Sequence, residues 1–474
     1  HAEAALCHRM LLDDEPRDLG AAVGAAHASS WACDWAGLAE DFDRLAQCIQ
    51  RVEATEGQTL PGVVNGFPLI TLTDDPEVLH WASRLTCRQQ TGRMAAVPRR
   101  AEMKVPRPQG RVRIGLVSSD FHNHATAILV AECLEAIDRE RFELWLYSGG
   151  PDDGSALRAR IRAAATAWCE TADLTSGDLA RRIRDDRIGV LIEMKGYTLG
   201  ARMDVMAHRP APVQVSWLGY PGTTGAPFID YFIGDPVVTP LEAQPDFTER
   251  IAQMPHCYQP NDPDRPIDPT PQTRAEHGLP ESGVVLVCFN NHSKFTPQVW
   301  GVWMRLLQAR ADAVLWLLAG SARVQENLRD HARSHGVNPD RLVFAPALPQ
   351  ARHLARLALA DLSLDTLPYN AHTTASDALW AGVPHVACTG QSFASRVGAS
   401  LLTAVGLPQL IGQGIAHYEK LLKRLLLDDG VRKQVRDWLA LRRKDAPLWD
   451  AAAFARALEQ AYAAMVDEAA RQPE

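Results

Sequence analysis

Asp361-Leu-Ser-Leu-Asp-Thr-Leu-Pro-Tyr-Asn-Ala-His372-Thr373-Thr374-Ala-Ser-Asp377-Ala-Leu-Trp-Ala-Gly382-Val-Pro384 is the stretch on which the fold turns. The apolar run Leu362 to Leu364 reads as a short buried strand. A polar turn follows it, then a helix that opens on two hydroxyl residues and stops at Gly382, ahead of a second apolar run from His385 to Cys388. A helix start presents unpaired amides and the positive end of the helix dipole, so this turn is a natural anion site. Thr hydroxyls add donors suited to phosphate oxygens. In isolation Thr373 or Thr374 would more often be a plain N-cap, and His372 ahead of them favours phosphate. Asp377, one helical turn on, can accept from ribose hydroxyls or simply complement the dipole.

Outward from this stretch the same strand, loop and helix rhythm recurs in two series. The first holds Val112 to Val117, Phe142 to Tyr147, Ile188 to Ile192 and Val213 to Trp217; its opening run leads through a polar loop, Ser118 to Thr126, into a helix from about Ile128 to Ile137. The second follows a Pro- and Asp-rich segment, Gln259 to Thr270, and holds Val284 to Phe289, Ala313 to Leu318, Leu342 to Phe344, Leu362 to Leu364 and His385 to Cys388. Apolar runs alternating with helices predict two α/β lobes, each a doubly wound parallel sheet, with ligands beyond the carboxyl ends of the strands. Residues ahead of these series read as short helices, with helical spacing from Trp35 to Ile49 and from Val78 to Leu85. The expected organisation is a helical N-terminal region and linker over 1–100, a first lobe over 101–275, and a second lobe with C-terminal helices over 276–474.

The chain has 474 residues, a formal charge of −8 and dispersed basic residues, which argues against a nucleic-acid or acidic-membrane binder. No run approaches the roughly 18 apolar residues of a membrane span. One basic cluster, Arg99, Arg100, Lys104, Arg107, Arg111 and Arg113, sits among Pro98, Pro106 and Pro108 and reads as a solvated linker. Nine cysteines without a Cys-x-x-Cys pair fit reduced thiols and a cytoplasmic protein. The first residue is His1 rather than Met, which predicts a start inside a longer product.

The run Asn370 to Pro384 resembles the donor-binding segment of the O-linked N-acetylglucosamine transferases. Val117-Ser118-Ser119-Asp120-Phe121-His122-Asn123-His124 is similar to their first-strand loop. Arg209-Pro-Ala-Pro-Val-Gln-Val-Ser-Trp-Leu-Gly-Tyr-Pro-Gly-Thr-Thr-Gly225-Ala226 is similar to their central signature, and Cys288-Phe289-Asn290-Asn291-His-Ser-Lys294 to the start of their second lobe. The resemblance is continuous from about 111 to 411. It implies the GT-B fold, two facing Rossmann-like lobes, with the helical N-terminal region a remnant of tetratricopeptide-like repeats. It also implies a UDP-N-acetylglucosamine donor, protein or peptide acceptors modified on Ser or Thr, inversion at the anomeric carbon, and neither metal nor cofactor. UDP-glucose with Asn acceptors, GDP-fucose with Ser or Thr acceptors, and a non-catalytic sugar-nucleotide-binding module are the competing expectations.

By the same matching, Lys294 would stabilise the leaving diphosphate together with His372, Thr373 and Thr374. His353 and Arg356 would approach the uracil and the nucleotide, with Asp377, Asn291, Gly219 and Pro221 also on the donor. Gln350 stands where animal members carry lysine. His124 would face the sugar and the acceptor hydroxyl, as general base, sugar contact or structural loop residue; His122 is assigned no role. Lys195, in Glu193-Met-Lys195-Gly196-Tyr197-Thr198, stands where the segment often carries Asn, which leaves the donor sugar open. The glycines of Leu218 to Gly225 suit a tight turn that could approach a sugar closely.

Overall fold

A computed structural model describes residues 1–53, 64–92 and 110–471 of the chain. Seven parallel strands form the first sheet: β1 Val112–Ser118, β2 Phe142–Ser148, β3 Ala167–Glu170, β4 Val190–Glu193, β5 Val213–Ser216, β6 Tyr231–Gly234 and β7 Arg250–Gln253. Their spatial order is β3-β2-β1-β4-β5-β6-β7. The second sheet has β8 Val285–Cys288, β9 Val314–Leu318, β10 Leu342–Ala345, β11 Leu362–Leu364, β12 His385–Thr389 and β13 Ile411–Gln413, in the order β10-β9-β8-β11-β12-β13. Central strands such as β4, β5 and β8 are buried along their whole length, as a parallel sheet covered on both faces requires.

In each sheet the order reverses once, between β1 and β4 and between β8 and β11. At such a reversal the connections leave toward opposite faces and open a crevice at the carboxyl ends of the strands. Two Rossmann-like sheets therefore match the expected doubly wound pattern. Four strands escaped the sequence reading: β3, β6, β7 and β13. Each has only three or four residues; β3, β7 and β13 are sheet edges of mixed polarity, and β6, though buried, is too short to establish a period.

Contacts divide the chain into two units, His1–Asp75 with Pro266–Lys444, and Pro76–Arg265 with Asp445–Glu474. This partition differs from the one expected from sequence at both ends. The helices Ala2–Asp14, Leu19–Ala32 and Trp35–Glu53 belong with the second sheet, while Pro76–Thr91 and the last helix, Ala451–Arg471, belong with the first. The physical reason is which faces are apolar. Leu19–Ala32 is buried along most of its length, and its Ser30 hydroxyl donates to the Ser293 carbonyl at 2.8 Å. Ala451–Arg471 sends Ala455, Leu458, Tyr462 and Met465 into the core of the first sheet. The expected linker cluster around Arg99, Arg100, Lys104 and Arg107, and the expected boundary at 100/101, lie outside the described residues; Arg111 and Arg113 pair with Glu143.

Helix Pro76–Thr91 is seated on the 217–226 signature. The Tyr220 hydroxyl lies 3.3 Å from the Ser83 hydroxyl, and Thr223 and Thr224 are tied to the buried carboxylate of Glu249 at 2.6 and 2.7 Å. Gly225 has a φ of +63°, and a Cβ there would stand 2.4 Å from the Arg84 amide nitrogen. Gly225→Ala therefore combines left-handed strain of about 1–2 kcal/mol with overpacking of about 1–3 kcal/mol. Amide hydrogen exchange should show helix 76–91 losing at least about tenfold in protection, the equivalent of about 1.4 kcal/mol, while β8 is unaffected.

Candidate functional site

In the second sheet the site is built from the loops after β8 and β11. Asp365, fully buried at the end of β11, accepts from the amides of Thr366 at 2.9 Å, Ala371 at 2.7 Å and Cys388 at 3.1 Å. These bonds close the 366–371 turn. Burial nevertheless pushes its carboxyl up to about 7, against those amides and the nearby charge of Lys294. Asn370 is equally buried; its side-chain amide donates to the Thr366 and Cys388 carbonyls, and its backbone carbonyl accepts from Lys294 Nζ at 2.8 Å. The ammonium lies 3.6 Å from the centre of the Tyr369 ring. Burial draws Lys294 down to about 7, with Asp365 opposing.

Helix Thr373–Trp380 begins after His372, and no side chain caps it, so its first amides stay open. These open amides are the backbone groups on which the anion site was expected. His372 contributes no charge: burial and Lys294 hold it well below its ordinary range, and its Nε2 lies 3.4 Å from the Ala394 carbonyl. Thr374 departs from the simple reading, because its hydroxyl donates to Asn290 Oδ1 at 2.5 Å and Asn290 in turn donates to Thr366. Thr373 keeps its hydroxyl unengaged among the described residues.

His353 and Arg356 lie one turn apart on helix Gln350–Leu357, but they do different things. Arg356 is fully buried; it donates to the Pro346 carbonyl at 2.6 Å and to His353 Nδ1 at 3.0 Å, and its guanidinium lies 4.7 Å from the Phe289 ring. Two of the Arg356 donors are thus engaged by protein groups, one of them on His353, while its Nε has no partner among the described residues; its expected approach to a nucleotide rests on the resemblance. Burial, with Arg356 adding, pushes His353 down to about 4, so the ring is neutral and presents Nε2–H. Gln350 donates to the buried Asp377 at 3.2 Å, tying the two helices together. Asn291 caps the turn His292–Lys294 through the Ser293 amide at 3.4 Å, a structural task. Phe289, Asn290, His353, Ala371 and Thr374 line one small recess.

In the first sheet the loops after β1 and β4 meet. Lys195 Nζ lies 2.5 Å from Asp120 Oδ1, and both residues are buried. Glu193, buried beside them, accepts from the Lys195 amide at 2.8 Å, and burial pushes it up to about 7. His124 caps helix Ala125–Glu135, its Nδ1 accepting from the Thr126 amide at 3.2 Å. Burial lowers its pKa, Asp120 opposes, and Lys195 and His122 add to the lowering. A Cβ at Gly219 would stand 1.8 Å from the Met194 carbonyl oxygen, so this glycine serves the packing of two backbones. Pro221 is buried beside it. Among the described residues no group of three or more His, Cys, Asp or Glu side chains could hold a metal.

Sequence reasoning missed Asp365, Asn290, Tyr369, Asn370 and Asp120 as organisers of these loops. All five fall inside stretches quoted for their motifs. The signal that could have found them is a polar residue directly after a buried strand, where a carboxylate or amide must satisfy the turning backbone.

The family model for Glycosyl transferase family 41 matches residues 32–265 and 261–458. A probable UDP-N-acetylglucosamine–peptide N-acetylglucosaminyltransferase of Arabidopsis thaliana is 33% identical over 449 residues, covering 92% of this chain and 46% of its own length. A UDP-N-acetylglucosamine–peptide N-acetylglucosaminyltransferase of Caenorhabditis elegans is 28% identical, covering 74% and 40%. The chain thus spans about half the length of the curated relatives it matches. Among solved structures, a mutant O-GlcNAc transferase of Thermobaculum terrenum superposes with a TM-score of 0.80 at 27% identity, over 99% of this chain and 88% of that one. A sucrose-phosphate synthase of Thermosynechococcus elongatus, at 14% identity and a TM-score of 0.52 over 75% of this chain and all of its own, shares the GT-B architecture alone.

The burial of Lys294 has a measurable sign. Desolvation favours the neutral amine, so its nucleophile emerges at lower pH than an ordinary lysine's, near about 10.4. Acylation of Lys294 followed by peptide mass spectrometry should be half-maximal near pH 7. Surface lysines in the same digest should still be rising well above that pH.

Proposed function

Because the chain belongs to glycosyl transferase family 41, we propose that it transfers N-acetylglucosamine from UDP-N-acetylglucosamine to Ser or Thr hydroxyls of proteins or peptides, with inversion and without a metal. The observation that carries this reading is Lys294, pinned by the Asn370 carbonyl and the Tyr369 ring beside the uncapped start of helix Thr373–Trp380. The acceptor oxygen bonds to the anomeric carbon as the bond to the diphosphate breaks, and the electron pair leaves with UDP. Stabilisation must therefore develop at the diphosphate. A lysine drawn down to about 7 regains full charge when an anion arrives, and open helix amides supply donors that need no reorganisation. His353, held as an Nε2–H donor by Arg356, suits an acceptor edge on the base. Nine free cysteines agree with action in a reducing, cytoplasmic setting, and no described helix is long and apolar enough to cross a membrane. The helices from Ala2 to Glu53 we read as the end of a helix-pair array that presents acceptors.

Lys294→Ala should lower UDP release from UDP-N-acetylglucosamine by about 10²–10³-fold, as loss of a charge-stabilising group does, while circular dichroism and the thermal midpoint stay near wild type. EDTA should leave the wild-type rate unchanged. Full activity in the variant, loss in EDTA that a divalent metal restores, or preference for a GDP-sugar in the same assay would overturn the reading.

A further inference from the structure

We infer that the Lys195–Asp120 ion pair holds His124 in its Nε2-protonated tautomer, so that His124 enters the proposed reaction as a hydrogen-bond donor and does not take the acceptor's proton. Only the second half rests on the proposed function; the tautomer is a property of the free protein.

Two groups compete for His124 Nδ1. The Thr126 amide, 3.2 Å away, can only donate, so it requires a lone pair on Nδ1. Asp120 Oδ2, 3.3 Å away, would instead accept a proton from Nδ1, the arrangement that turns an imidazole into a base with a free Nε2 lone pair. Which one prevails depends on whether Asp120 still needs a donor. Its Oδ1 takes the Lys195 ammonium at 2.5 Å, its Oδ2 takes the Thr126 hydroxyl at 3.3 Å, and its negative charge is neutralised inside a buried pair. An imidazole proton offers it little more. The amide faces the opposite situation: it is one of the open donors of the first turn of helix Ala125–Glu135, and the Nδ1 lone pair is the cap that satisfies it.

The other charged or titratable groups facing His124 point the same way. Lys195 and His122, whose ring centre lies 5.7 Å off, both disfavour a positive imidazolium, and burial does too. Nε2 has no partner among the described residues, and the side chain is 41% exposed, so its proton is available to a ligand. The acceptor hydroxyl proton then leaves to the departing diphosphate or to water as the new glycosidic bond forms. Lys195 and Asp120 are positioning residues that act through His124.

The test reads the tautomer directly, from long-range 15N–1H spectra of protein with 15N-labelled histidine and no ligand, with His124 assigned by its absence in His124→Gln. The wild type should show Nε2–H at neutral pH. Lys195→Met leaves Asp120 uncompensated, so the proton should move to Nδ1 and the His124 midpoint should rise by at least about one pH unit, a tenfold gain in proton affinity. Lys195→Asn, which keeps a hydrogen-bond donor near Asp120 without the charge, replaces Lys195→Met if that variant does not fold. Nδ1–H in the wild type, or an unchanged tautomer in a folded Lys195 variant, overturns the inference. In turnover His124→Gln, which can still donate, should retain more kcat/KM than His124→Ala; equal loss in both overturns the donor role. Nε2–H in a protein with no transferase activity would refute the proposed function and leave the tautomer standing.

Discussion

Asp365 is the carboxylate on which the architecture around Lys294 depends. A strand that ends and turns at once leaves amides with no strand partner, and buried amides without acceptors are costly. Asp365 takes three of them, from Thr366, Ala371 and Cys388, and so closes the 366–371 turn against the next strand. The Asn370 carbonyl that receives Lys294, the Tyr369 ring beneath the ammonium, and the entry angle of helix Thr373–Trp380 all hang from that turn. The same carboxylate opposes the desolvation of Lys294, so one residue sets both the shape and the charge of the loop.

The two sheets use similar parts at their reversal points to different ends. After β1 and β4, Lys195 and Asp120 form a buried ion pair, and the lysine is committed. After β8 and β11, Lys294 forms no ion pair within 4 Å among the described residues; it rests on a carbonyl and a ring, both weaker partners than a carboxylate. A lysine held in place but not neutralised is the one equipped to answer an incoming anion. The N-terminal helices reinforce this, since Ser30 and Cys33 bond to the carbonyls of Ser293 and His292, fixing the turn that carries Lys294.

Burial, with positive neighbours adding, lowers the pKa of a histidine in each unit, and each uses Nδ1 as an acceptor to present Nε2. His353 does so through Arg356, and His124 through the Thr126 amide. An imidazole that is neutral and tautomerically fixed is a directional donor, which suits recognition of carbonyl and phosphoryl oxygens better than it suits proton abstraction.

The sequence by itself determined the two doubly wound lobes, because long apolar runs of strand length bounded by polar loops admit few other arrangements. It also pointed to the candidate site's loops, because ligands of such sheets bind beyond the carboxyl ends of the strands and the motif residues follow those strands. The tertiary structure alone decided which side chains face outward. Arg356 and His353 share a helix face, yet one is sealed beneath Phe289 and the other fronts a recess. Thr374 offers a hydroxyl on paper that Asn290 already holds. Gly219 reads as room for a sugar and is room for the Met194 carbonyl. Where the short edge strands go, and which unit claims each terminal helix, was likewise invisible in the sequence. Such outcomes depend on contacts between residues far apart in the chain, and local periodicity carries no information about which distant atom will arrive first at a given donor.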